Sequence, residues 1–281
     1  MANKRVAKAG VELGYSKIIV MTDLHLRGFD ETIIGIDPWK RFESALAHVT
    51  ARHPDAARLI LMGDLAHHGK RKVYRALAER LADLPIPVSL TLGNHDKRGS
   101  FLQAFGGINA DENGFVQSFF DMENERLILL DTLDEGPRRH WGRLCAQRRA
   151  WLQTALDSAD GRRVSLFMHH PAFDIGYPGL DAMKLREAET FLDMCQGRVA
   201  HIFAGHVHRT ISESARGIGL TTFKSTAHQS PLLLDSWDTS IAVNEPGAYG
   251  VVLFTPNAIV AHSEDFDLSI IPDLSSRDTH A

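Results

Sequence analysis

Lys17-Ile18-Ile19-Val20-Met21-Thr22-Asp23-Leu24-His25 runs from a buried-strand pattern straight into two side chains that bind metals. A short continuous apolar run of this kind reads as a strand covered on both faces. The construction recurs four times. Leu59–Met62 leads into Gly63-Asp64, Pro87–Leu92 into Gly93-Asn94-His95-Asp96, Val164–Met168 into His169-His170-Pro171, and Val199–Ala204 into Gly205-His206-Val207-His208. Open α/β sheets place their active sites at the carboxyl ends of strands. Five such ends carrying Asp, His and Asn predict a single site with donors enough for two metal ions. Paired ions serve phosphate-ester chemistry more often than any other.

Each segment also carries a local expectation. On an extended backbone alternate side chains share a face, so Asp23 and His25 form one pincer and His206 and His208 another. Gly63 and Gly205 precede ligands where a residue without Cβ permits a sharp turn. Asp64 has two oxygens and can bridge two ions; Asn94 offers a hard, neutral carbonyl oxygen. Singly, these pieces are ordinary: Gly-Asp is a common turn, and His67-His68, His48 and His53 show that the chain uses histidine freely. The ordered set of five is not ordinary.

That ordered set resembles the calcineurin-like metallophosphoesterase superfamily, from Lys17 to about His228. Finer detail is similar to the bacterial class III cyclic nucleotide phosphodiesterases. It lies in Gly63-Asp64-Leu65-Ala66-His67-His68-Gly69, Leu84-Pro85-Ile86-Pro87-Val88, Leu130-Asp131-Thr132, Phe167-Met168-His169-His170-Pro171 and Ser225-Thr226-Ala227-His228-Gln229. The resemblance implies an α/β fold, a four-layer α-β-β-α sandwich of two stacked mixed sheets flanked by helices. It implies a first metal held by Asp23, His25, Asp64 and His208. A second would be held by Asp64, Asn94, His169 and His206, with Asp64 bridging. His169 is favoured over His170 because the family ligand lies two residues before the proline. His95 would act beside the metals as an acid or as a group that orients phosphate. Ala172 departs from the family, in which a second proline often follows Pro171.

The chain has 281 residues, 44% of them apolar, and a net charge of −4. That allows one large domain, placed at residues 1–268, with a polar tail at 269–281. The charge offers no nucleic-acid surface. Two divalent ions facing two carboxylates and a hydroxide nevertheless leave a site of about +1. Cys145 and Cys195 belong to no ligand motif, and their settings do not suggest a disulfide. No signal peptide or membrane span is read, so a cytoplasmic protein is expected. Donors of nitrogen and oxygen without thiolate favour iron and manganese, with zinc as the other choice.

Helices are expected from Asp37-Pro38 onward, over Val73–Leu84, Gln147–Ser158 and Leu185–Cys195. Strands are expected at Val116–Phe120 and Leu127–Leu130, and then at Thr210–Ser214, Leu220–Ser225, Gly250–Phe254 and Ile259–His262. Two loops are candidates for choosing the substrate. Residues 26–36 follow the first pincer and carry Arg27. Residues 134–143 carry Arg138, His140 and Trp141, a pairing of cation and indole that suits a nucleotide. His228 either reaches the phosphate or satisfies a buried backbone carbonyl.

The expected activity is a binuclear metal-dependent phosphodiesterase, with hydroxide bridging the ions as attacking group. Its leading substrate is a 3′,5′-cyclic nucleotide of the cAMP kind. A glycerophosphodiesterase or a broad small-molecule phosphodiesterase is the enzymatic rival. A homodimer is expected, as are the absence of nucleic-acid and membrane partners. The alternative of a different class, a non-catalytic scaffold on the same fold, would be free to lose its donors or His95. Every one of them is present.

Overall fold

The computed structural model describes residues 14–106, 110–137 and 139–268. Arg138 and the expected tail at 269–281 lie outside them. The first half runs β1 (Ser16–Met21), α1 (Pro38–Arg52), β2 (Arg58–Met62), α2 (Arg71–Ala82), β3 (Val88–Thr91), α3 (Arg98–Phe105), β4 (Ser118–Asp121) and β5 (Glu125–Leu130). The second runs α4 (Ala146–Asp157), β6 (Arg163–Met168), α5 (Pro178–Asp181), α6 (Ala188–Cys195), β7 (His201–Ala204), β8 (Ile211–Ala215), β9 (Ile218–Thr222), β10 (Ala248–Phe254) and β11 (Ile259–Asp265).

One sheet has the order β11-β10-β1-β2-β3 and the other β4-β5-β6-β7-β9-β8. Both are mixed. β1, β2 and β3 are parallel, as are β5, β6, β7 and β9, while β4, β8, β10 and β11 join antiparallel.

Strand periodicity explains the layering. Ile18 and Val20 of β1, Ile60 and Met62 of β2, and Leu127 and Leu129 of β5 fill a core shared by the two sheets. Their neighbours Ile19, Met21, Leu59 and Leu61 turn outward onto Phe42 and Leu46 of α1 and Tyr74 and Leu77 of α2. Ile128, Leu130, Leu166 and Met168 do the same on the other side, against Leu152 of α4 and Leu192 of α6. A strand apolar on both faces must be buried on both, and here one face meets a sheet and the other a helix. The expected four-layer sandwich is the observed one.

The N-terminus of α1 is built as read: Asp37 accepts Lys40 N–H at 3.0 Å, and Pro38 follows. Differences are local. The helix expected from Leu185 starts at Ala188, because Glu187 takes a left-handed conformation and Leu185 bridges to Gly142. α3 was not anticipated; eight residues with Phe101 and Phe105 as its buried contacts make too short a pattern to stand out.

Candidate metal centre

The turns after β1, β2, β3, β6 and β7 meet at one end of the sandwich, three from one sheet and two from the other. They bring together every donor expected from the sequence. The pincer geometry, however, does not come from the strand pleat. Asp23, His25, Asp64, His206 and His208 have φ of 55°, 46°, 49°, 70° and 51°. They lie beyond the strand ends, in left-handed conformation. Asp and His are among the few side chains other than glycine enriched there. Between such residues Leu24 and Val207 turn into the core, at 0% and 1% exposure. Gly63 does take positive φ, 84°. Gly205 does not, and its role is space: a Cβ there would collide with Thr22 and Asp23.

Hydrogen bonds tie one atom of most donors to the protein and leave the other toward the site. Asp23 Oδ2 accepts Thr22 Oγ1–H at 2.7 Å and His206 N–H at 3.0 Å, while Oδ1 lies 3.1 Å from His208 Nε2. Asp64 Oδ1 accepts His95 N–H at 2.8 Å; its Oδ2 lies 3.4 Å from His169 Nε2 and 3.7 Å from His25 Nε2. His169 Nδ1–H donates to Met62 O at 3.1 Å, and His208 Nδ1–H to His228 O at 2.8 Å. Both rings therefore present Nε2. Metal-ligating histidines are oriented in this way, through their second nitrogen. Asn94 Oδ1, His169 Nε2 and His206 Nε2 are buried without any hydrogen-bond partner. A buried polar atom left so is costly, and a divalent cation is what this donor set fits.

Electrostatics point the same way. Burial pushes the His206 and His228 imidazoles down to about 3 and His67 to about 4, with His25 well below its usual value. These rings are neutral, with lone pairs available. His169 is the exception: burial opposes its charge, but Asp64 and Asp23 outweigh burial and raise it to about 9. A cation is wanted between those carboxylates.

The remaining expectations divide. His95 stands beside the donors, its Nδ1–H donating to His67 O at 2.9 Å and its ring 4.8 Å from that of His25. His140 also reaches the site, its Nδ1 lying 3.3 Å from Asn94 Nδ2. His228 lines the cleft; its side chain satisfies no carbonyl, and Nδ1 is buried and unpartnered. Its own carbonyl serves His208 instead. Arg27 turns into its own loop, donating to Thr32 O at 2.6 Å, with Nε 3.4 Å from Glu31. It is absent from the described lining of the cleft. Trp141 likewise faces away: its Nε1–H donates to Asp134 at 3.1 Å, and Arg186 covers the ring at 4.4 Å. A saturated indole and a guanidinium already bonded locally have little left to offer a ligand.

Asp96 is the functional residue whose role sequence reasoning missed. Its carboxylate accepts Leu65, Ala66 and Gly93 N–H and the Tyr74 hydroxyl, at 2.8 to 3.1 Å. It thereby ties the Asp64 turn to the Asn94 turn. Its place two residues after Asn94 was the available signal. Burial, with Asp64 nearby, raises it to about 6.

The family model for calcineurin-like phosphoesterases matches residues 16–210. The chain belongs to that family. A Rhodopseudomonas palustris protein named a probable cyclic nucleotide phosphodiesterase is 38% identical over 89% of this chain and 92% of its own. An Arcobacter nitrofigilis protein named a probable glycerophosphodiester phosphodiesterase is 26% identical over 82% of this chain and 85% of its own. A dimetal phosphatase from Danio rerio matches with a TM-score of 0.63 over 89% of this chain and 96% of that chain. At 16% identity that is a likeness of fold. Membership of this calcineurin-like family implies an enzyme of metal-dependent phosphoester hydrolysis with two divalent ions.

Proposed function

We propose that this phosphoesterase is a diesterase acting on small phosphodiesters, with 3′,5′-cyclic nucleotides as the leading substrates. The observation that carries the diester reading is the make-up of the cleft over the donors, about 390 Å³ in volume. Among the described residues lining it there is neither Lys nor Arg, although Lys97 and Arg139 line an adjoining cavity that shares Asn94 and His95. Burial keeps its His25, His67, His206 and His228 neutral, while at His208 Asp23 outweighs burial and raises the pKa. A diester monoanion is matched by the metals alone; a monoester dianion calls for a further cation. The relative named for cyclic nucleotides supports the substrate class.

In this reading Asp23, His25, Asp64 and His208 would hold one ion, and Asp64, Asn94, His169 and His206 the other. When bound, two divalent ions supply Lewis-acid stabilisation of the developing charge and a nucleophile at neutral pH. Asp64 Oδ1 and the His67 carbonyl fix His95 in the lining of the cleft, leaving its Nε2 to protonate or orient the departing oxygen. Asn94 is turned by His140 so that its carbonyl oxygen, not its amide, faces the site. Iron with manganese is the proposed pair, because imidazole, carboxylate and amide donors without thiolate suit them. One domain ending near residue 268 and a cytoplasmic homodimer complete the proposal. No helix among the described residues is long and apolar enough to cross a membrane.

Glycerophosphodiesters are the second reading, favoured by Ser230 and Thr239, whose residues line the same cleft. The test is a panel of cyclic nucleotides, glycerophosphodiesters and matching monoesters assayed with added manganese. Faster turnover of monoesters than of diesters would refute the proposal.

A further inference from the structure

Ile33-Ile34-Gly35-Ile36 closes as a two-residue hairpin. Ile33 N–H donates to Ile36 O at 2.9 Å, and Ile36 N–H to Ile33 O at 2.8 Å. Ile34 and Gly35 have φ of 46° and 80°, the primed turn that prefers Asn-Gly. Gly35 suits that turn. Ile34 does not, because a β-branched side chain in left-handed conformation is a genuine outlier. Nor does core burial offset the strain, since Ile34 is 53% exposed. Strain of this kind persists where it serves a site.

The site is adjacent. Ile34 lines the same cleft as His25, Asp64 and His95, and so does Ile241, 44% exposed, from a second loop. That second loop is pinned at several points. Gln229 and Val243 exchange backbone hydrogen bonds at 3.1 and 2.8 Å, and Gly179 N–H donates to Ser236 O at 3.1 Å. Two exposed isoleucines are thus held beside the phosphate-processing residues on anchored backbone.

We propose that Ile34 and Ile241 form an apolar subsite that takes the flat face of a substrate's non-reacting group, a nucleobase or aryl ring. The assignment rests on the phosphodiesterase reading. The two groups are joined by continuity of the cleft: a diester whose phosphorus meets the donors must direct its other ester group along the same walls. Aliphatic side chains offer a ring van der Waals contact without hydrogen bonds, so the subsite should distinguish planar from polar groups but hardly one purine from another.

The test keeps the leaving group constant. Metal-loaded wild type, Ile34→Asn and Ile241→Ser are compared on p-nitrophenyl phosphodiesters whose second ester is methyl, hexyl, phenyl or naphthyl. Asn suits the turn, so the melting temperature of Ile34→Asn should be unchanged or higher, and loss of binding cannot be ascribed to misfolding. KM for the phenyl and naphthyl esters should rise roughly five- to tenfold from lost apolar contact, with kcat and the methyl ester nearly unaffected. A KM change equal across the series overturns the subsite, and a hexyl ester favoured as strongly as naphthyl overturns its assignment to flat rings. If wild type hydrolyses none of the diesters, the phosphodiesterase reading fails. Calorimetric binding of the same esters then decides the subsite separately: an aryl preference lost in Ile34→Asn supports it, and a preference unchanged or absent refutes it.

Discussion

The donor-bearing turns hang from parallel strands of two sheets, whereas the wall beside them takes Ile33 and Ile34 from one loop, Ser230 and residues 239–242 from another, and Leu180 and Met183 from around α5, all outside both sheets. In the first region each side chain is placed by a strand end and locked by a partner: Asp23 by Thr22 and His206, Asp64 by His95, His169 by Met62. In the second, Ile34 and Ile241 stand 53% and 44% exposed on anchored loops. The contrast separates two jobs. Metals tolerate little error in donor position, and the sheet ends provide that precision. Substrate choice tolerates variation, and loops provide it.

The largest expected effect breaks the first region at its centre. Asp64 lies closer than Asp23 to both His25 and His169, at 3.7 and 3.4 Å against 3.9 and 3.8 Å. Asp64→Ala should lose both metals and more than the roughly 10⁴-fold upper range of general-acid help, with secondary structure intact by circular dichroism. Two tightly bound metals in that variant, by elemental analysis, would overturn its role as the bridge.

His95 tests whether binding and chemistry can be parted within the same region. His95→Ala should keep its metals and lose roughly 10²–10⁴-fold in kcat for poor leaving groups. The loss should shrink for nitrophenol, which departs without a proton. An equal loss for both kinds of leaving group would mean that His95 binds phosphate and donates no proton.

How much of this could be read from the chain follows the same division. The layers were legible because Ile18, Val20, Ile60 and Met62 alternate with Ile19, Met21, Leu59 and Leu61, apolar on both faces. The convergence of the candidate donors was legible because strand ends bring distant turns together regardless of what lies between. The reason given for the pincers was wrong, since left-handed backbone and not pleat orients Asp23 and His25. Residue type permits that conformation, since Asp and His are enriched in it, but does not show where the strand ends and the turn begins. Arg27 and Trp141 show a related limit: a cation and an indole near a site attract attention, but residue type does not show that Thr32 and Glu31 engage the one and Asp134 and Arg186 the other. Loop side chains choose partners that only folding brings near.

Removing the metals sharpens the account of the first region. Without them His169 carries a folded pKa raised to about 9, because Asp64 and Asp23 outweigh the opposing effect of burial. A raised folded pKa contributes stability that is fully present below the ordinary value near 6.5 and lost as pH rises through 9. His208 is raised in the same direction, with Asp23 outweighing burial. Metal-free protein should therefore melt several degrees lower at pH 9.5 than at pH 7, a size set by roughly 2–4 °C per kcal/mol for chains approaching this length. The loaded protein should change less, since an ion occupies the place of the proton. A metal-free melting temperature flat over that interval would show that the carboxylates do not hold His169 charged.

The smallest effect separates two neighbours that the sequence put together as one substrate loop. His140 lies 3.3 Å from the Asn94 amide, whereas Trp141 is bonded to Asp134 and covered by Arg186. His140→Ala frees the Asn94 amide to rotate, so metal affinity at the second position should fall roughly tenfold, as for other lost supporting bonds around a metal. KM for a cyclic nucleotide should rise with it. Trp141→Phe should leave metal and KM unchanged and cost about 1 kcal/mol of stability through the lost hydrogen bond to Asp134. Equilibrium metal titration and thermal melting of the two variants read these outcomes independently. If Trp141→Phe raised KM while melting like wild type, the indole would belong to the substrate wall after all, and the boundary between cradle and wall would have to be moved to include it.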